Sequence, residues 1–162
     1  MPQGKYCCFV CPANDWGIKD QREPCSTCGR PFGFPLDQAP ATIGKYRIEH
    51  AISRGFYGSA YLATSGRLGA RIVLKVTPVD LYRFFGKDFD AESRLHMELA
   101  DGTQHVVRIR DVAEEEVTFG NGVKLLCHIA ELDYVNGDML SAYLDGSIEA
   151  DAATIAQIAI DL

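Results

Sequence analysis

Four cysteines could hold a metal ion. Cys8-Phe9-Val10-Cys11 and Cys25-Ser26-Thr27-Cys28 form two CxxC pairs with 13 residues between them. Thiolates two residues apart share one tight turn, and two such turns supply the four ligands of a tetrahedral zinc, with Zn–S bonds of about 2.3 Å. Four sulfurs leave no open position for water, so the expected zinc is structural rather than catalytic. Gly29 follows the second pair and suits the end of such a knuckle. Cys7, next to Cys8, is an alternative first ligand. A second set of residues is chemically out of place. Lys75 lies in the apolar run Ile72-Val73-Leu74-Lys75-Val76, where a buried ammonium is costly unless paired. Glu92 shares a helical row with Phe89, Leu95 and Leu99, where a carboxylate meets the same difficulty. Both anomalies resolve if Lys75 and Glu92 form one ion pair between a strand and a helix, with Glu98 as the alternative acid. Gly55 and Gly58, between two strand-like runs, would let backbone amides approach an anionic group.

The chain that must position these residues has 162 of them, about one domain's worth. Hydrophobic residues make up 47% and charged residues 23%, which excludes a disordered tail, a collagen-like repeat and a coiled coil. The formal charge is −6. Residues 1–40 carry four basic and four acidic groups; the rest carry 12 and 18. An acidic chain without clustered cations is a poor match for nucleic acid. Near the cysteines, Lys19, Arg22 and Arg30 are too few to change that, so a protein is the expected partner of this module. No apolar run is long enough to span a membrane, and no signal core follows Met1. A cytoplasmic location is expected, and a disulfide framework is not.

Composition divides the chain. Residues 1–33 hold five of the six cysteines, and 34–42 form a Pro-containing linker. Beyond it, strands are expected over 46–52, 60–64, 71–76, 106–119 and 123–132, with Asn121-Gly122 as a hairpin turn. The 3.6-residue spacing from Phe89 to Leu99 predicts a helix capped by Asp88 or Asp90 and closed by Gly102. A last helix is expected after Ser147, with Ile155, Ile158, Ala159 and Leu162 as its apolar row. That row runs uncapped to the final residue and needs a partner layer, so a truncated piece of a longer protein is expected. His50, His96, His105 and His128 show no ligand spacing, Cys127 reads as a small buried hydrophobe, and Glu114-Glu115-Glu116 as a solvated strand end.

The cysteine module resembles a zinc ribbon. It has too little core to fold unaided, so the metal is expected to supply most of its stability. The rest, about residues 43–162, resembles the N-terminal lobe of a bacterial serine/threonine protein kinase of the eukaryotic (Hanks) type. Ser53-Arg54-Gly55-Phe56-Tyr57-Gly58-Ser59-Ala60 is similar to the GxGxxGxV phosphate loop, and Val73-Leu74-Lys75 to the end of V-A-I-K. Glu92 falls where the helix glutamate belongs. His105-Val106-Val107-Arg108-Ile109-Arg110-Asp111-Val112 resembles the run into the fourth strand. Ala130-Glu131-Leu132-Asp133-Tyr134-Val135-Asn136-Gly137-Asp138-Met139-Leu140 resembles the hinge. Two departures stand out: Ser53 replaces the first loop glycine, and Ala60 the valine.

The resemblance implies an α+β fold, a five-stranded antiparallel sheet with one packed helix. It assigns 43–135 to the ATP-binding lobe and 136–162 to the hinge exit and the first, truncated helices of a C-terminal lobe. Gly55 and Gly58 would cover the ATP phosphates, Lys75 would contact them, and Glu92 would hold Lys75. Ile52, Ala60 and Val73 would sandwich adenine, Leu132 would guard the back of the pocket, and Asp133 and Val135 would offer backbone groups to the adenine edge. The complete protein would then transfer phosphate from ATP, with Mg, to protein Ser/Thr in signalling. The family carries its catalytic and magnesium-binding carboxylates in H-R-D…N and D-F-G. Neither occurs here, so these 162 residues are expected not to transfer phosphate alone. The competing expectation is a pseudokinase or scaffold that binds partners through lobe and ribbon.

Overall fold

A computed structural model describes residues 39–54, 57–66, 68–103 and 105–137, with Tyr6, Cys8, Asp20, residues 22–27, Gly29, Ser147 and Glu149. Branched and aromatic residues alternating with small or polar ones form strands here, because alternate side chains leave opposite faces of a pleat. Six result: β1 (Thr42–Ile43), β2 (Tyr46–Arg54), β3 (Ser59–Ser65), β4 (Ala70–Pro78), β5 (Ile109–Thr118) and β6 (Lys124–Asp133). They form one antiparallel sheet in the order β1-β2-β3-β4-β6-β5. Two helices, α1 (Val79–Phe84) and α2 (Phe89–Gly102), lie between β4 and β5 in sequence. The fold is α+β, as expected, with one strand and one helix more. Thr42–Ile43 pairs with β2 and so takes the end of the expected linker into the sheet.

The sheet curls until β1 meets β5, which makes it nearly a barrel. Its enclosed face holds Tyr61, Ala63, Ile72, Leu74, Cys127 and Ile129, with Ile43 and Val117 from the converging edges. Cys127 is fully buried, and burial pushes its thiol up to about 12. Glu131 faces the same way but is not stranded, since it accepts a hydrogen bond from the Tyr46 hydroxyl. Satisfying that carboxylate is what makes its burial tolerable.

Local signals set the ends of elements. The Asp88 carboxylate accepts from the Ala91 amide at 3.0 Å and caps α2, satisfying one of the helix's spare donors. The β5–β6 turn closes with Gly122 N–H to Phe119 O at 2.8 Å, and Gly122 has φ +80°, where a side chain would be strained. Strand β5 begins at Ile109 rather than at residue 106, and a register shift lies between Ile109 and Asp111. Gly102 is the last helical residue of α2 instead of its stop, and Thr103 is the C-cap. Among the described residues no helix is long and apolar enough to cross a membrane. The expected helix after Ser147 lies outside the described residues, apart from Ser147 and Glu149.

Candidate functional site

The open face of the sheet is built by the same alternation that fills the closed one. Ala60 pairs with Lys75, Leu62 with Val73, and Val73 with Leu132 across three adjacent strands. These side chains therefore share a face opposite Tyr61, Ile72 and Leu74. Ile52 from β2 and residues 133–135 after β6 extend the surface. Together they bound a cavity of about 580 Å³ whose lining includes Ile52, Ala60, Val73, Leu132, Asp133 and Val135. A site of this kind suits a flat, largely apolar ligand with a polar edge, since small-molecule pockets are mostly apolar with few polar groups. All six had been singled out from the sequence. The lining also contains Leu62, Arg71 and Tyr134, which had not. Leu62 was legible in principle, two residues beyond Ala60 on the same face. Arg71 lies 5.8 Å from the Tyr134 ring centroid and 4.0 Å from Glu49, so its cation is held at the rim. The Asp133 carboxylate is tied to Arg110.

A second cavity, about 140 Å³, lies between the sheet and α2. Lys75 and Glu92 both line it, and Leu132 is common to the two cavities. The expected ion pair between Lys75 and Glu92 is not formed. Glu92 Oε2 accepts from the Tyr82 hydroxyl at 2.9 Å, and Lys87 Nζ lies 3.6 Å from Oε1. Lys75 is exposed and has no ion pair among the described residues. Around Lys75 only one face of β4 is sealed: Leu74 and Val76 are buried, while Val73 is half-buried and Lys75 exposed, so the ammonium needs no buried partner. Glu92 is likewise exposed, and so are Leu95 and Leu99, at 57% and 54%. Helix α2 instead buries Phe89 together with Ser93 and Ala100, the last two small enough to let the backbones come close. His96 Nε2 adds a 2.6 Å contact to Val107 O.

Tyr82 was missed because six residues cannot display a helical period. It is 2% exposed and makes edge contacts with Tyr57, Phe89 and His128 at 5.6–5.8 Å between centroids. Burial, then the bond to Glu92, raises its phenol well above the ordinary tyrosine value. His128 stacks on Phe89 at 4.4 Å, and burial lowers its imidazole.

Of the two loop glycines, Gly55 lies outside the described residues. Gly58 is required by close packing: a Cβ there would sit 2.0 Å from Val76 O and 2.8 Å from Thr77 Oγ1. That need exists whether or not an anion binds beneath the turn.

Two of the four expected zinc ligands are described. Cys8 and Cys25 are both buried, at 1% and 6%, in one cluster with Tyr6. Gly29 N–H donates to Cys25 O at 2.7 Å, with Gly29 at φ +68°, closing a tight turn that begins at Cys25. One thiol from each CxxC and a glycine-closed turn are part of what a zinc knuckle needs, and among the described residues no group of three or more metal-ligating side chains comes together. Cys7, Cys11 and Cys28 lie outside the described residues, as does most of 1–38. Compared with known protein families and with curated proteins, the chain finds no match in either.

Proposed function

We propose that residues 43–135 bind ATP as the nucleotide lobe of a serine/threonine protein kinase, with phosphoryl transfer to protein Ser/Thr carried out by a longer protein. The observation that carries this reading is the convergence of Ile52, Ala60, Val73, Leu132, Asp133 and Val135 on one cavity. They come from four separate segments, and the kinase resemblance assigns Ile52, Ala60 and Val73 to the adenine faces, Leu132 to the back of the pocket, and Asp133 and Val135 to the adenine edge. The order β2-β3-β4-β6-β5, with helices between β4 and β5, supports it as well.

In this reading the apolar walls take adenine, and backbone groups at Asp133 and Val135 meet its polar edge. Lys75 supplies the cation for the phosphates from the adjoining cavity, while ATP with Mg brings the transferable group. Arg110 occupies the Asp133 side chain and the Asp133 amide donates to Arg108 O at 3.0 Å, so the group offered there in this reading is the carbonyl. Zinc held by Cys8, Cys11, Cys25 and Cys28 would stabilise the N-terminal module, which offers a surface to a protein partner. Two observations favour the scaffold reading: Glu92 pairs with Lys87 rather than Lys75, and Ser53 replaces a loop glycine.

Titration of the 162-residue protein with a fluorescent ATP analogue and Mg separates the two. Saturable binding weakened about tenfold or more by Lys75→Met is expected, the scale of a lost charge-assisted hydrogen bond. Absent binding, or binding indifferent to Lys75, would favour the scaffold.

A further inference from the structure

We propose that Arg110 is a positioning residue for the polar edge of the larger cavity: it holds Asp133 from outside the pocket, so that the backbone there meets a ligand already in place. The proposal deepens the nucleotide reading above and rests on it for the ligand, though not for its geometry. Strand β5 is irregular at this residue. Ile109 pairs with Leu132 and Asp111 with Glu131, so two steps of β5 span one step of β6 and Arg110 has no cross-strand partner of its own. Such a β-bulge bends its strand and re-aims the extra side chain. Here the side chain reaches the last residue of β6, and Arg110 Nε donates to Asp133 Oδ1.

Asp133 is held twice from the β5 side. Its amide donates to Arg108 O at 3.0 Å, and its carboxylate takes Arg110. From the other side it pairs with Ile72 of β4. Asp133, Tyr134 and Val135 line the cavity, whereas Arg108 and Arg110 do not. Arg110 therefore acts on a ligand only through Asp133. The next residue is tied more loosely, with Arg71 at 5.8 Å from the Tyr134 ring centroid. Holding a segment in its bound conformation before the ligand arrives removes an ordering cost from binding. The Arg110–Asp133 pair is partly exposed, so its effect is modest and local, on the segment where the sheet ends and the pocket edge begins.

Hydrogen exchange of the ligand-free 162-residue protein, followed by NMR, reads the positioning without any nucleotide. Arg110→Met is expected to speed exchange of the Asp133 amide about two- to fivefold, the range of one partly exposed ion pair, while Leu74 and Ile129 keep their wild-type rates. The same variant is expected to weaken the fluorescent ATP analogue by about that factor. Inorganic triphosphate, competed against the analogue, should keep its affinity, because it lacks the base that the edge receives. Arg110→Lys keeps a donor and should stay near wild type. In an Asp133→Ala background, Arg110→Met should have no further effect. An Asp133 amide that exchanges at the wild-type rate in Arg110→Met overturns the positioning role. So does an affinity loss that persists in the Asp133→Ala background or falls equally on triphosphate. Faster exchange with no analogue binding by the wild type upholds the positioning and removes the nucleotide reading. Binding that depends on Lys75 but not on Arg110 does the reverse.

Discussion

Strand β4 carries two chemistries in alternate residues. Ile72, Leu74 and Val76 point into the curled sheet and are at most 2% exposed. Val73 and Lys75, their neighbours in the chain, line the open cavities instead. The first set holds the fold, since each sealed aliphatic side chain contributes about 1.5–3 kcal/mol by leaving water. The second is held in place by the first, and can carry an exposed cation and a thin apolar wall without endangering the strand. Stability and recognition are thus separated by a single residue step along one backbone.

That separation can be broken at several points. Leu74→Ala should show the largest loss, about 2–5 kcal/mol in urea unfolding, because the closed face cannot collapse around the hole. Val73→Ala should lose much less and act mainly on ligand affinity; equal losses would erase the distinction. Gly58→Ala comes next, at about 1–3 kcal/mol, because the new methyl must push β3 away from Val76 O. His128 offers a smaller effect, tuned by acidity. Burial lowers its imidazole, Arg83 adds to this, and Glu114 and Asp90 oppose it. The unfolded chain then takes the proton more readily than the folded one. Stability from this group is complete above pH about 6.5 and is lost as pH falls through the lower folded value. Unfolding between pH 5 and 7 should show that slope, and His128→Phe should flatten it; an unchanged slope would assign it elsewhere. Lys75→Met should have the smallest effect on unfolding, within about 0.5 kcal/mol, since the ammonium is exposed. A larger loss would mean that Lys75 is part of the sealed structure after all.

The strands, the Asn121–Gly122 turn and the Asp88 cap were legible because each depends on a few adjacent residues. The adenine-side residues were legible through resemblance, and their shared face follows from alternation. Long-range choices were not. Phe89, Glu92, Leu95 and Leu99 make a convincing row, yet α2 turns Ser93 and Ala100 toward the sheet, because small residues permit closer approach than leucines do. Nothing in Val79–Phe84 announces a helix, so the residue that captures Glu92 had no signal. The partner of a charge depends on which donor the fold brings nearest, and here that donor is a tyrosine ten residues away rather than a lysine across the sheet.

The sealed face also contains its own clock. Cys127 is fully buried, its thiol is pushed up to about 12, and it therefore offers almost no thiolate to an alkylating reagent at neutral pH. Its modification must wait for β6 to part from its neighbours. The rate at which iodoacetamide labels this one sulfur then measures how often the sheet opens, with no dye, tag or engineered probe.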